Sequence, residues 1–190
     1  MPDRIIAGTY ILASVICGGE VIIKNCPSQS LEAFFSKIDP KVCKIKKNAS
    51  CALVSVNGRH CAVSKLETMP YPGFPTDLQS QFTAMLATAR GTSVVIENLF
   101  ETRFKYVPEL LKMGANITTN GKTAIVRGVP KLYGAEVFAS DLRGGAALVL
   151  ASLMAEGYTT VGNISHIERG YDTLVEDLSA LGANIRKIRA

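Results

Sequence analysis

Leu153-Met154-Ala155-Glu156-Gly157, then Asn163, then Leu181-Gly182-Ala183-Asn184-Ile185 restates an earlier run of the same chain. That run is Leu86-Ala87-Thr88-Ala89-Arg90-Gly91, then Asn98, then Leu111-Lys112-Met113-Gly114-Ala115-Asn116-Ile117. A weaker first copy goes from Val15-Ile16-Cys17-Gly18-Gly19 to Asn25 and on through Leu31 to Ile38. Each copy opens with an acid just before an apolar run, at Asp3, Asp77 and Asp141. Such repetition matters first, because each unit buries its apolar face against its neighbours. The copies cover about residues 3–70, 71–138 and 139–190, and one repeating pattern predicts one domain over 1–190.

Each copy reads as helix, strand, helix, strand, often with one more strand. In the middle copy Thr76 can cap a helix and Asp77 favours its first turn. Leu78, Phe82, Met85, Leu86 and Ala89 then form an apolar stripe at helical spacing, which Gly91 ends. Ser93–Glu97 predicts a strand, Tyr106–Lys112 a helix, and 116–119 with 123–127 a hairpin around Asn120-Gly121. Tyr133–Val137 predicts a further strand. In the third copy the helix from Leu142 to Ala155 is apolar on nearly every side, so it should be buried all round. Helices surrounded by sheets, in an α/β (α+β) fold, satisfy that. A last strand is expected at Ile185.

The 190 residues are 47% hydrophobic and 19% charged, enough for a packed core and too few charges for disorder. Net charge is +5, which suits small anionic substrates. The basic cluster Lys41, Lys44, Lys46 and Lys47 has no interleaved aromatics and reads as a solvated face, not a nucleic-acid surface. Most of the five irregularly spaced cysteines (Cys17, Cys26, Cys43, Cys51, Cys61) read as small core residues, and a reduced, cytoplasmic compartment fits them best. The longest apolar stretch, Ala146 to Ala155, is too short for a bilayer, and Met1–Arg4 lacks a signal-peptide shape. No P-loop or dinucleotide fingerprint is present. Gly144-Gly145 lies within a helix pattern and predicts close packing.

If the three copies are pseudo-symmetric, their first helices start at one end, where free N–H groups and partial positive charge favour anions. Asp77, Asp141, Arg143 and Arg169 would gather there, with Arg103 in the loop that matches Arg169. Arginines in such loops suit phosphate or carboxylate, and a carboxylate beside them suits a hydroxyl that must lose its proton. The plain alternatives are that Asp3 only caps its helix and that Arg103 pairs with nearby Glu101. His60 and His166, isolated from any nucleophile, read as structural.

Four segments carry a resemblance: Tyr71-Pro72-Gly73-Phe74-Pro75-Thr76-Asp77-Leu78-Gln79, Phe100-Glu101-Thr102-Arg103-Phe104, Asp141-Leu142-Arg143 and His166-Ile167-Glu168-Arg169-Gly170-Tyr171. In these the chain resembles the enolpyruvyl transferase family, and within it the UDP-N-acetylglucosamine 1-carboxyvinyltransferases. The resemblance covers nearly all of Asp3 to Ile188 and is weakest around Phe34 to Ser64. It implies an inside-out α/β barrel (an α/β prism), one of two similar domains with the active site in the cleft between them. It implies transfer of enolpyruvyl from phosphoenolpyruvate to the 3′-hydroxyl of UDP-N-acetylglucosamine with loss of phosphate, the first committed step of peptidoglycan synthesis. No metal or organic cofactor is implied. By the same resemblance Asp77 binds the acceptor hydroxyl and serves as base, and Asp141 lies close to the reacting carbon. Arg143 and Arg169 hold phosphoenolpyruvate, the backbone at Leu99 meets the sugar nucleotide, and Arg103 lines the cleft. The family's other domain, with its Lys-Asn pair and reactive Cys loop, has no counterpart here, nor has the family's N-terminal segment. The chain therefore looks like a C-terminal half, inactive alone. A shikimate-pathway enolpyruvyl transferase domain and a non-catalytic domain binding a sugar nucleotide or partner are the rival readings.

Overall fold

The computed structural model describes residues 2–48 and 50–188; Met1, at the head of the Met1–Arg4 run, lies outside them. The first third contains α1 (Arg4–Cys17), β1 (Gly19–Lys24), α2 (Glu32–Phe35), β2 (Cys43–Lys47), β3 (Cys51–Val56) and β4 (Lys65–Glu67). The middle contains α3 (Gln79–Leu86), β5 (Thr92–Ile96), α4 (Val107–Lys112), β6 (Asn116–Asn120), β7 (Thr123–Arg127), β8 (Leu132–Tyr133) and β9 (Glu136–Phe138). The last third contains α5 (Leu142–Leu153), β10 (Ala155–Glu156), β11 (Thr160–Gly162), α6 (Ser165–Glu168) and α7 (Leu174–Ala180).

Three long helices, α1, α3 and α5, pack on one another inside a shell of sheets. Their sequences explain the burial. All residues of α3 from Gln79 to Leu86 are buried, as are Gly144 to Ala151 of α5. For α3 the sequence predicted only an apolar stripe. Its polar residues tolerate burial because most of their polar atoms find partners: Ser80 Oγ donates to Arg143 O (2.9 Å), Thr83 Oγ1 to Gln79 O (2.9 Å), and Tyr106 Oη to Gln79 Oε1 (3.2 Å), while Gln79 Nε2 has no partner among the described residues. Glycine lets the helices approach. A Cβ on Gly145 would stand 2.5 Å from Ile167 Cγ1, and one on Gly8 2.5 Å from Leu78 Cδ1. Phe34, Phe74 and Phe82 stack edge-on or tilted beside α3, with centroids 5.4 to 6.2 Å apart.

The helices are parallel. Residues near their starts (Thr9, Gln81, Arg143) meet at one hydroxyl, that of Tyr171. Residues at their other ends meet too: Thr88 Oγ1 donates to Met154 Sδ (3.3 Å), and His60 Nε2 bonds Val15 O (2.7 Å). His60 is thus a structural histidine, as expected.

One sheet has the order β1-β3-β2, all antiparallel; another has β4-β5-β7-β6, in which β4 runs parallel to β5. The order β1-β3-β2 repeats β5-β7-β6, which makes the pseudo-symmetry explicit. The third face holds two parallel pairs, β8 with β10 and β9 with β11. Each of the three later sheets therefore takes a parallel strand from the preceding third of the chain. Asn25 and Asn163, which end β1 and β11, both adopt a left-handed conformation (φ 54° and 57°), which asparagine tolerates.

Five predicted elements differ. The 133–137 strand is broken into β8 and β9, because the backbone of Gly134 passes so close to Tyr158 that a Cβ would stand 2.2 Å from its carbonyl oxygen. The α3 and α5 helices end at Leu86 and Leu153, before Ala89 and Ala155, and Ala155 enters β10. The hairpin loop is Gly121-Lys122, since Asn120 still pairs with Thr123. The segment at Ile185 is no strand: it pairs with no strand among the described residues, and a strand needs a ladder.

Candidate active site

The chain enters α3 through Pro75 and a 3₁₀ turn at Thr76–Leu78. Thr76 was expected to cap this helix, but no side chain caps it. The Thr76 hydroxyl donates instead to Glu97 Oε2 at 2.8 Å. Asp77 is left facing two guanidinium groups. Arg103 Nη2 lies 2.6 Å from Asp77 Oδ1, and Arg143 Nη2 lies 3.2 Å from Asp77 Oδ2. Arg103 comes from the 3₁₀ turn Arg103–Tyr106 after β5, and Arg143 from the first turn of α5. The proposed pairing of Arg103 with Glu101 is not made; Arg103 Nη2 also donates to Thr76 O (3.3 Å), and its guanidinium lies over the Phe100 ring at 5.2 Å.

Tyr171 stands behind this group. Its hydroxyl lies 2.9 Å from Thr9 Oγ1 and accepts from Gln81 Nε2 (3.3 Å) and Arg143 Nη1 (3.3 Å). Burial disfavours the Arg143 charge, but the Tyr171 hydroxyl and the Asp77 carboxylate outweigh it, and its pKa is raised above the ordinary value.

The three acids that open the repeats do not act alike. Asp3 Oδ1 accepts from the N–H groups of Ile5 (2.7 Å) and Ile6 (3.2 Å), and Asp141 Oδ1 from those of Arg143 (3.0 Å) and Gly144 (2.8 Å). Both are N-caps, so two of the three helix starts do not present the free N–H groups expected there. Only Asp77 leaves its helix start uncapped. Arg169 follows α6 on an exposed turn and forms no ion pair among the described residues. Its neighbour Gly170 packs against Leu142 at the start of α5. Leu99 is 41% exposed, and its N–H is engaged by Glu97 Oε1 at 2.9 Å. The structure thus joins Asp77, Arg103 and Arg143 directly and sets Asp141 beside Arg143.

Sequence reasoning missed Glu97. Its signal was present: Ser93, Val95 and Glu97 alternate along one strand, and that face is buried. Tyr171 carried no such signal. Of the cysteines read as core residues only Cys26 and Cys43 are buried, and burial pushes both thiols up, Cys43 to about 11, so they are held protonated as packing groups; Cys51 is half-buried and Cys17 and Cys61 are exposed. No helix of the described residues is long and apolar enough to cross a membrane.

Comparison with known proteins fits this arrangement. UDP-N-acetylglucosamine 1-carboxyvinyltransferase 2 of Caldanaerobacter subterraneus subsp. tengcongensis is 46% identical over 188 residues, covering 99% of this chain and 45% of the relative. The UDP-N-acetylglucosamine 1-carboxyvinyltransferase of Desulfovibrio desulfuricans is 48% identical over 187 residues, covering 98% and 45%. The chain thus spans a little under half the length of these curated relatives. The crystal structure of the enolpyruvyl transferase NikO from Streptomyces tendae superposes with a TM-score of 0.85 at 29% identity, over 98% of this chain and 44% of that one. EPSP synthase from Acinetobacter baumannii, at 18% identity and a TM-score of 0.67, over 98% of this chain and 44% of that one, shares the fold. With residues 1–178 matching its family model, the chain belongs to the EPSP synthase (3-phosphoshikimate 1-carboxyvinyltransferase) family.

Proposed function

We propose that this chain is one domain of three repeats, the C-terminal domain of a two-domain UDP-N-acetylglucosamine 1-carboxyvinyltransferase, and that it supplies half of the active site. The observation that carries this reading is the Asp77 carboxylate held between Arg103 and Arg143 where the starts of three parallel helices converge. The names and identities of the relatives support the sugar-nucleotide acceptor.

In this reading Asp77 binds the 3′-hydroxyl of UDP-N-acetylglucosamine and takes its proton as the oxygen attacks the central carbon of phosphoenolpyruvate. Arg143 and Arg169 hold the carboxylate and phosphate of phosphoenolpyruvate, a role suited to guanidinium forks. Asp141, fixed by its own capping bonds, lies close to the reacting carbon. The methylene carbon of phosphoenolpyruvate takes up a proton as the tetrahedral adduct forms and gives one up as phosphate leaves, which restores the double bond. The backbone at Leu99 contacts the sugar nucleotide through its carbonyl, since its N–H is taken. Arg103 lines the cleft and orients Asp77. The remaining donors, among them the Lys-Asn pair and the Cys loop, belong to the other domain. The product would feed peptidoglycan synthesis in the cytoplasm, and through it cell-wall growth, cell shape and division.

The test is phosphate release by the full-length protein. It should require phosphoenolpyruvate and UDP-N-acetylglucosamine together, and the 190-residue chain alone should release none. The family model's own description favours a second reading, with 3-phosphoshikimate as acceptor. Turnover of that acceptor in preference to the sugar nucleotide would decide for it.

A further inference from the structure

Glu97 is fully buried, yet among the described residues it has no cationic partner. A buried carboxylate is costly unless its lone pairs are matched by donors. Here four donors from three segments converge on it. Oε1 accepts from Thr68 Oγ1 (2.9 Å), Leu99 N (2.9 Å) and Phe100 N (3.2 Å), and Oε2 accepts from Thr76 Oγ1 (2.8 Å). Thr68 Oγ1 in turn accepts from Asn98 N at 2.9 Å. The network is therefore closed on both sides of the carboxylate.

The two oxygens do different work. Oε2 holds the turn that carries Asp77, while Oε1 holds the loop that carries Leu99 and the Phe100 ring under Arg103. A carboxylate is planar and of fixed width, so it sets the spacing of what its two oxygens hold. Arg103 closes the same gap from the front, donating to Thr76 O and to Asp77.

We infer that Glu97 is a positioning residue for the transfer reaction: acting through Thr76 and the Leu99–Phe100 backbone, it sets Asp77 at the proper distance from the acceptor. This inference rests on the function proposed above. Glu97 itself touches no substrate. Misplacement of a catalytic group by even about 1 Å costs up to about a hundredfold in rate. A group that governs that placement should change kcat while leaving the affinity for phosphoenolpyruvate alone.

The test uses the full-length protein with Thr76→Val, which removes the link at nearly constant volume, and Thr76→Ser, which keeps the hydroxyl. Thr76→Val is expected to lower kcat by between about tenfold and a hundredfold with KM for phosphoenolpyruvate unchanged. Thr76→Ser should restore kcat. Wild-type kcat in Thr76→Val, with only a lower melting temperature, would overturn the inference and leave Glu97 a structural residue. Should Thr76→Val fail to fold, Glu97→Gln gives the same reading: it keeps size but turns one acceptor into a donor, so kcat should fall, and an unchanged kcat would overturn the inference. A wild-type protein with no phosphate release on both substrates would overturn the functional reading and the role of Glu97 with it. An active wild type with unaffected variants overturns the role of Glu97 alone.

Discussion

Arg143 Nη2 lies 3.2 Å from Asp77 Oδ2, so the start of one buried helix is tied to the start of another through a charge that faces outward. The Asp77 side chain is 40% exposed, whereas those of Arg103 and Arg143 are 16% and 18% exposed. The carboxylate is the accessible member of the group and the guanidiniums are its mounts.

Asp77→Asn should therefore separate chemistry from stability. Loss of a positioned base costs about a hundredfold or more in kcat. Because Arg103 and Arg143 are mostly buried, weakening their charge-assisted bonds should also cost on the order of 1–3 kcal/mol, so the melting temperature should fall while the protein stays folded. Steady-state kinetics and a thermal melt on one preparation check both; wild-type turnover would rule Asp77 out as the base.

Tyr171→Phe should cost stability. It removes the acceptor that Gln81 Nε2 and Arg143 Nη1 share, in a buried setting. Groups left unpaired there cost about 1–3 kcal/mol. Thr9 keeps its bond to Ile5 O at 2.9 Å, so the loss should sit at the low end of that range, and urea unfolding would measure it.

Gly128→Ala should be among the most damaging single substitutions. Its Cβ would stand 1.7 Å from Ala89 O, a backbone atom that has no rotamer to escape into. Overpacking costs about 1–3 kcal/mol where side chains can yield, and more is expected here. Gly121→Asn, with positive φ but nothing within 4 Å, should cost under about 1 kcal/mol, because asparagine accepts that backbone. Comparing the two by calorimetry isolates crowding from conformation.

Alkaline stability should depend on Tyr10. Burial, and then the hydrogen bond to Asp177 Oδ2 at 2.6 Å, raise its hydroxyl well above the ordinary 10.0. The unfolded chain releases this proton near the ordinary value while the folded chain retains it. The stabilisation is thus complete below about pH 10 and is lost as pH rises beyond it. In Tyr10→Phe that titration is gone. The melting temperatures of wild type and variant should draw together as pH rises from about 10 to about 12. A constant difference across that range would contradict the assignment.

Much of this was legible in the chain itself. The repeated Gly-Ala-Asn-Ile run marked the copies, and the Asp-before-apolar pattern located the long helices, because periodicity is a local property. The buried surroundings of α5 followed from its composition. What local sequence does not carry is competition for a side chain. Thr76 looks like a cap until Glu97 arrives from another strand to take its hydroxyl. Arg103 looks like a partner for Glu101 until the α3 entry turn brings Asp77 closer. Tyr171 serves three helices at once, and no spacing in the sequence announces that. The same limit explains the strand expected at Ile185: a strand is a relation between two segments, and alternation in one of them is only half of it.

The hand-over of strands has a consequence for how the molecule folds and breaks. By sequence β4 belongs with α1, yet it pairs with β5; β8 and β9 follow β7, yet they pair with β10 and β11. The unit that was duplicated is therefore not the unit that is stable. Each boundary between copies is stitched across by a ladder, so a protease cut between β4 and α3 would divide the four-stranded sheet between the two pieces. Cooperativity is built in at the joints, and the copies should melt together as one transition rather than in sequence.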